Sequence, residues 1–175
     1  IRTYLILFGL DLYQTQVADV GLEHLKGMTK LQTLYLDDTK VTEAGLEHLK
    51  GLTNLRSLRL PVSLQITDVG LRHLQGLTKL QLLGVVSNEV TDVGLEHIGR
   101  MTSLQELFLE GTQVTDAGLV HLKGLASLNT LVLVNTKVTD GGLVDLKRLK
   151  SLKSLFLSKT RITDVGLVHL KGLKK

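Results

Sequence analysis

The chain has no cysteine and no tryptophan, one proline and only 3% aromatic residues across 175 positions. Without cysteine there are no disulfides and no thiolate metal sites. A reducing compartment suits such a chain without being required by it, so localisation stays open. No apolar run approaches the ~20 residues that a membrane span needs, and no signal peptide is visible. Proline and glycine do not gather into linkers, and nothing is of low complexity apart from the repeat described next. A phosphate loop, an HExxH pair, a nucleophile elbow and a cysteine nucleophile are all missing. The expectation is therefore no enzyme, no cofactor and no metal.

What is present is one unit used many times. In its clearest copy, Leu104 to Ser127, it reads LQELFLEGTQVTDAGLVHLKGLAS. Leu107-Phe108-Leu109 alternates as a strand does. Thr115-Asp116 signals a helix start, because side-chain oxygens there accept bonds from unpaired backbone N–H groups and Asp suits the positive helix end. Leu119 and Leu122 form a helical seam. Gly124 has the look of a left-handed residue ending the helix, with Leu125 folding back as its apolar contact. One copy is thus a strand, a corner, a short helix of about two turns and a return turn. Its few apolar positions cannot offset the ordering of the whole unit, so neighbouring copies must stack.

Seven copies tile the chain at 7–30, 31–54, 55–79, 80–103, 104–127, 128–151 and 152–175, with residues 1–6 as an N-terminal flank or partial repeat. The third copy has 25 residues instead of 24, and the extra one lies within Pro61 to Leu64. Proline cannot donate to a strand ladder, so a local irregularity is expected there. Neither end shows the polar cap that a solenoid normally needs. The chain is therefore expected to be a segment of a longer protein, or to meet another surface at its ends.

The consensus, LxxLxLxxTxVTDxGLxHLKGLTx, resembles the leucine-rich repeat family, in which LxxLxL is followed by a corner Asn or Cys. Here Thr15, Thr39, Thr112, Thr136 and Thr160 take that place, Asn88 keeps the family residue once, and Ser63 is the nearest match in the irregular copy. A hydroxyl can serve the same end by bonding corner backbone groups. The T-D-x-G-L start and the period look most like the bacterial class akin to GALA-type repeats. The resemblance implies an α/β fold: a right-handed solenoid with a parallel sheet on the concave side and short helices on the convex side. It also implies that a protein ligand would sit on the concave strand face.

Comparing copies separates framework from individuality. The residue between the second and third strand leucines runs Asp11, Tyr35, Arg59, Gly84, Phe108, Val132, Phe156. Two residues earlier the series is Gly9, Thr33, Ser57, Leu82, Glu106, Thr130, Ser154; just past the strand it is Tyr13, Asp37, Pro61, Val86, Glu110, Val134, Ser158. Strands stack at about 4.8 Å, which makes one surface roughly 30 Å long. Aromatic anchors with one arginine and scattered acids suggest a protein-binding patch; the alternative is that Tyr35, Phe108 and Phe156 merely cover the sheet. The candidate partner-binding residues are Tyr35, Asp37, Arg59, Leu82, Glu106, Phe108, Glu110, Val132 and Phe156. The partner is expected to be a protein or peptide. Nucleic acid is disfavoured despite the formal charge of +4, because this face is acidic and the excess lysines, such as Lys26, Lys50 and Lys123, lie on the helical side.

Two further rows recur. His24, His48, His73, His97, His121 and His169 hold one position, Asp145 filling the remaining copy. Neighbouring helices about 8–10 Å apart do not bring such a row to the ~2.0 Å needed around a zinc ion, so the histidines are expected to bridge copies or bond turn carbonyls. The preceding position ends in Val120, Val144 and Val168. These valines are either a second contact strip, for a flanking domain or subunit, or drift within the array. The alternative to a concave-face binding module is a structural spacer or assembly segment of a larger protein or complex, contacting its neighbours through its ends or its helix side.

Overall fold

Short strands and short helices alternate along the whole chain in the computed structural model, which describes residues 7–62 and 66–173. The N-terminal flank, residues 63–65 and the last two lysines fall outside the described residues. The strands are β1 (Gly9–Asp11), β2 (Thr33–Tyr35), β3 (Ser57–Arg59), β4 (Leu82–Gly84), β5 (Glu106–Phe108), β6 (Thr130–Val132) and β7 (Ser154–Phe156). They form one parallel sheet in chain order. Strand starts advance by 24 residues, except from Ser57 to Leu82, where the extra residue of the third copy intervenes. The protein is a leucine-rich-repeat solenoid, with the sheet on its concave side and short helices on its convex side.

The central leucine of each inner strand (Leu34, Leu58, Leu83, Leu107, Leu131) is fully buried. These side chains meet the helical seam, for example Leu119 and Leu122, in one continuous core. Side chains alternate across a strand, so residues flanking each central leucine must point away from that core. The register accordingly aligns Asp11, Tyr35, Arg59, Gly84, Phe108, Val132 and Phe156 as one row, and Gly9 through Ser154 as the second.

The corners depend on hydroxyls. Thr15, Thr39, Thr112, Thr136 and Thr160 each donate through Oγ1 to the carbonyl three residues back, at 2.6–2.9 Å. The residue before each threonine is left-handed: Gln14, Asp38, Gly111, Asn135 and Lys159. The fourth copy differs. Asn88, expected to hold this corner, is exposed, and Ser87 is buried in its place. Ser87 Oγ accepts from the Glu89 amide at 3.1 Å and donates to the Ile66 carbonyl at 2.8 Å. In regular copies the amide reaches the preceding copy directly, as Gln113 does to Val90; here a hydroxyl relays the bond. The third copy beside it carries the extra residue.

The helices are short and mixed. The α-helices are α1 (Asp19–Glu23), α2 (Asp68–Arg72), α3 (Asp92–Ile98), α4 (Asp116–Leu119), α5 (Leu143–Leu146) and α6 (Asp164–Leu167). Turns of 3-10 helix stand in for them or extend them, as at Glu43–Leu49 and Val120–Gly124. Thr67, Thr91, Thr115, Thr139 and Thr163 act as N-caps by accepting from the amide two residues on. Gly124 is not left-handed; among the described glycines only Gly27 and Gly111 have positive φ. The return instead passes through Leu125 at φ −81°, ψ 67°, with the Ala126 amide bonded to the Gly124 carbonyl at 2.9 Å. That is an inverse γ-turn, which turns the chain without glycine's freedom while leaving Leu125 in the core.

The first helical carboxylate has a second task. Asp92 accepts both the amide and the hydroxyl of Thr115 in the next copy, at 2.8 and 2.7 Å. Asp19 does the same for Thr42, Glu43 for Thr67, Asp68 for Thr91, Asp116 for Thr139 and Asp140 for Thr163. The hydroxyl and amide of Thr163 hold the Asp140 carboxyl below the ordinary carboxylate range. Each copy is thus clamped to the next by a forward-reaching carboxylate.

Candidate concave binding face

The strand register brings most of the candidate residues onto one face. Tyr35, Leu82, Glu106, Phe108 and Val132 are half-buried there, and Arg59, Glu110 and Phe156 are exposed. Asp37 is the exception. Its side chain is only 9% exposed, and Arg59 Nη2 donates to its Oδ1 at 2.9 Å. The Arg59 guanidinium also lies over the Tyr35 ring, 5.5 Å from its centroid, in cation–π range. Asp37 is therefore a carboxylate neutralised within the fold, and Arg59 is held in place from two sides.

Replacing Arg59 with Ala leaves Asp37 buried and unpaired. We expect a loss of about 1–3 kcal/mol, toward the lower end because half of the arginine is solvated. The same change in an Asp37→Asn background should have little effect. Urea unfolding of the four proteins measures this, and equal losses in both backgrounds would show that the pair contributes nothing.

The face is not flat. A hollow of about 380 Å³ opens at its middle, lined by Tyr35, Asp37, Arg59, Leu60, Val62, Leu82, Gly84, Val86, Phe108 and Glu110. Its position follows from two departures from regularity. Gly84 is the only residue of its row without a side chain, and the irregular third copy lies beside it. In regular copies a second amide past the strand reaches the next copy, as from Gln14 to Asp37, Gly111 to Val134 and Asn135 to Ser158; Asp38 and Ser87 make no such backbone bond. The looser ladder leaves the hollow open. Phe156 and Val132 lie farther along the face and do not line it.

Of this hollow, the residues singled out by comparing copies include Tyr35, Asp37, Arg59, Leu82, Phe108 and Glu110 but omit Gly84 and Val86. The absence of a side chain at Gly84 was the available signal. Another row is visible only in three dimensions. The residue after the helical acid, Val20, Val69, Val93 and Val165, is 56–71% exposed. In the proposed valine strip, Val144 and Val168 are 45% and 55% exposed, whereas Val120 is half-buried.

The histidine row shows one bridge between copies, His97 Nδ1 to Gln75 Nε2 at 2.5 Å. His48 Nδ1 is buried with no hydrogen-bond partner, 4.0 Å from Glu47 Oε1. Among the described residues no group of three or more His, Asp or Glu side chains is placed to hold a metal ion. None of the described helices is long and apolar enough to cross a membrane.

No protein-family model matches the sequence, and no curated protein matches it. The fold does have solved relatives in shape. Internalin C2 from Listeria monocytogenes superimposes with a TM-score of 0.77 at 27% sequence identity, over 95% of this chain and 77% of that one.

Proposed function

We propose that this solenoid is a non-catalytic binding module whose concave strand face takes a protein or peptide partner. The observation that carries the reading is the hollow around Gly84, a half-apolar recess on a solvent-facing sheet with aromatic and charged side chains at its edge. Desolvated aromatics supply most of the free energy in such interfaces, and Tyr35, Phe108 and Phe156 are the candidates. Leu82 and Val132 extend the apolar contact, and Glu106 and Glu110 select against acidic partners. Asp37 contributes by fixing Arg59. The 24-residue period and the T-D-x-G-L start support reading the repeats as akin to the GALA type. The seven copies at 7–30 through 152–175 act as one rigid platform.

The test begins with a partner captured from the native source and identified by mass spectrometry. Its affinity is then measured for the wild type and for the Tyr35→Ala/Phe108→Ala/Phe156→Ala protein. We expect the protein to stay folded, with only a small drop in melting temperature as Arg59 loses the Tyr35 ring, and a loss of affinity of about a hundredfold or more, since truncated hot spots cost about 2 kcal/mol or more each. Undiminished affinity would remove the concave face from the reading. It would favour the spacer alternative, with contact on the helical side where Val144 and Val168 are exposed.

A further inference from the structure

The hollow at Gly84 has a chemistry more specific than that of the face as a whole. Some glycines in this chain are required by packing. A Cβ on Gly118 would lie 2.3 Å from Asp92 Oδ1, and one on Gly166 would collide with Asp140 in the same way. Gly84 is different: a Cβ there would meet only Arg59, at 3.7 Å from Cγ and 3.9 Å from Cα, which is ordinary van der Waals distance. Its φ lies outside the left-handed region as well. Neither sterics nor backbone conformation demands glycine. The missing side chain leaves a notch facing solvent, between Arg59 on one strand and Phe108 on the next.

We infer that this notch receives one long cationic side chain, arginine or lysine, of the partner; the inference rests on the concave-face reading above. Leu82, Val86 and Phe108 offer apolar wall to an aliphatic stem, which such side chains bury readily while their charged heads stay at the edge. The half-buried Phe108 ring offers a π face to the charge. The electrostatics select the sign. Arg59, the one cation lining the hollow among the described residues, is neutralised by Asp37 at 2.9 Å. Glu110 lines the same hollow, is exposed, and forms no ion pair among the described residues. The recess therefore carries a net negative charge at its mouth. An acidic side chain would be repelled there. A purely aliphatic one would cover Glu110 without pairing it, leaving a carboxylate desolvated. The chain already displays this chemistry internally, since Arg59 itself rests on the Tyr35 ring with its head on a carboxylate.

A displayed library of fully randomised peptides, selected on the wild-type protein, tests this. We expect the enriched peptides to share one arginine or lysine. Synthetic copies with that residue replaced by citrulline or norleucine should bind about tenfold or more weakly, as should the original peptides on Glu110→Gln protein, the range for one charge-assisted bond. Gly84→Leu should abolish their binding without lowering the melting temperature. Peptides anchored by an apolar or acidic residue, or no enriched peptide at all, would overturn the inference. Peptides lost on the triple alanine protein yet indifferent to Gly84→Leu and Glu110→Gln would overturn it and leave the concave-face reading standing. Peptides indifferent to the triple alanine change would overturn both.

Discussion

Gly118→Ala should destabilise the solenoid by about 3 kcal/mol, although it adds a single methyl group to a residue with ordinary helical backbone. In most helices that exchange would stabilise by up to about 1 kcal/mol. Here the new Cβ would stand 2.3 Å from Asp92 Oδ1 and 3.0 Å from Leu95 Cδ1, so something must move. If Asp92 swings aside, Thr115 loses both the acceptor of its amide and that of its hydroxyl. Bonds to a charged acceptor contribute about 1.5–3 kcal/mol each. If the helix shifts instead, Leu119 is pulled from a site where it is 1% exposed, with an overpacking cost of about 1–3 kcal/mol. Gly124→Ala is the control: its nearest neighbour is the Gly99 carbonyl at 3.9 Å, and no loss is expected. Urea midpoints of the two variants decide the matter. Equal midpoints would mean that the carboxylate clamp does not hold the copies together.

That contrast also marks where reading the sequence stops. The leucine rows and the outward strand rows are legible because they depend on periods of two and three to four residues within one copy. The corner threonines are legible because their bonds close within three residues. The T-D-x-G-L motif misleads in part: Thr115 does cap its own helix, but Asp116 spends its oxygens on Thr139, 23 residues ahead. No local pattern distinguishes a carboxylate bonding backward from one bonding forward. The recurring glycine is explained only when two copies are seen together, since the space it leaves is filled by the neighbour's acid. Ser87 displacing Asn88 is likewise explained only with two copies in view, since its hydroxyl bonds the Ile66 carbonyl of the adjacent copy. The hollow is legible only as a list of side chains. Its depth comes from the missing side chain at Gly84, which the row of outward residues does display, and from ladder bonds that are not made, which no residue announces.

The second large effect concerns the platform beneath the binding face. Leu107→Ala should lower stability by about 2–5 kcal/mol, the range for truncating a fully buried leucine, whereas Leu155→Ala should cost about half as much or less. The two residues occupy equivalent positions, at the centres of β5 and β7. Leu107 is 0% exposed and paired in register with Leu83 and Leu131 on either side. Leu155 is half-buried and paired with Leu131 alone. In a stack where each copy touches only its neighbours, truncation at an inner layer loosens two interfaces and truncation at an outer one loosens a single interface. Leu107 also sits between Glu106 and Phe108, so its loss should speed amide exchange at both outward neighbours before the sheet melts globally. Urea unfolding measures the first effect, and amide hydrogen exchange at Glu106 and Phe108 the second. Equal losses at the two leucines would mean that the copies do not behave as a one-dimensional stack, and Phe108 would then owe its position to something other than the layers beneath it.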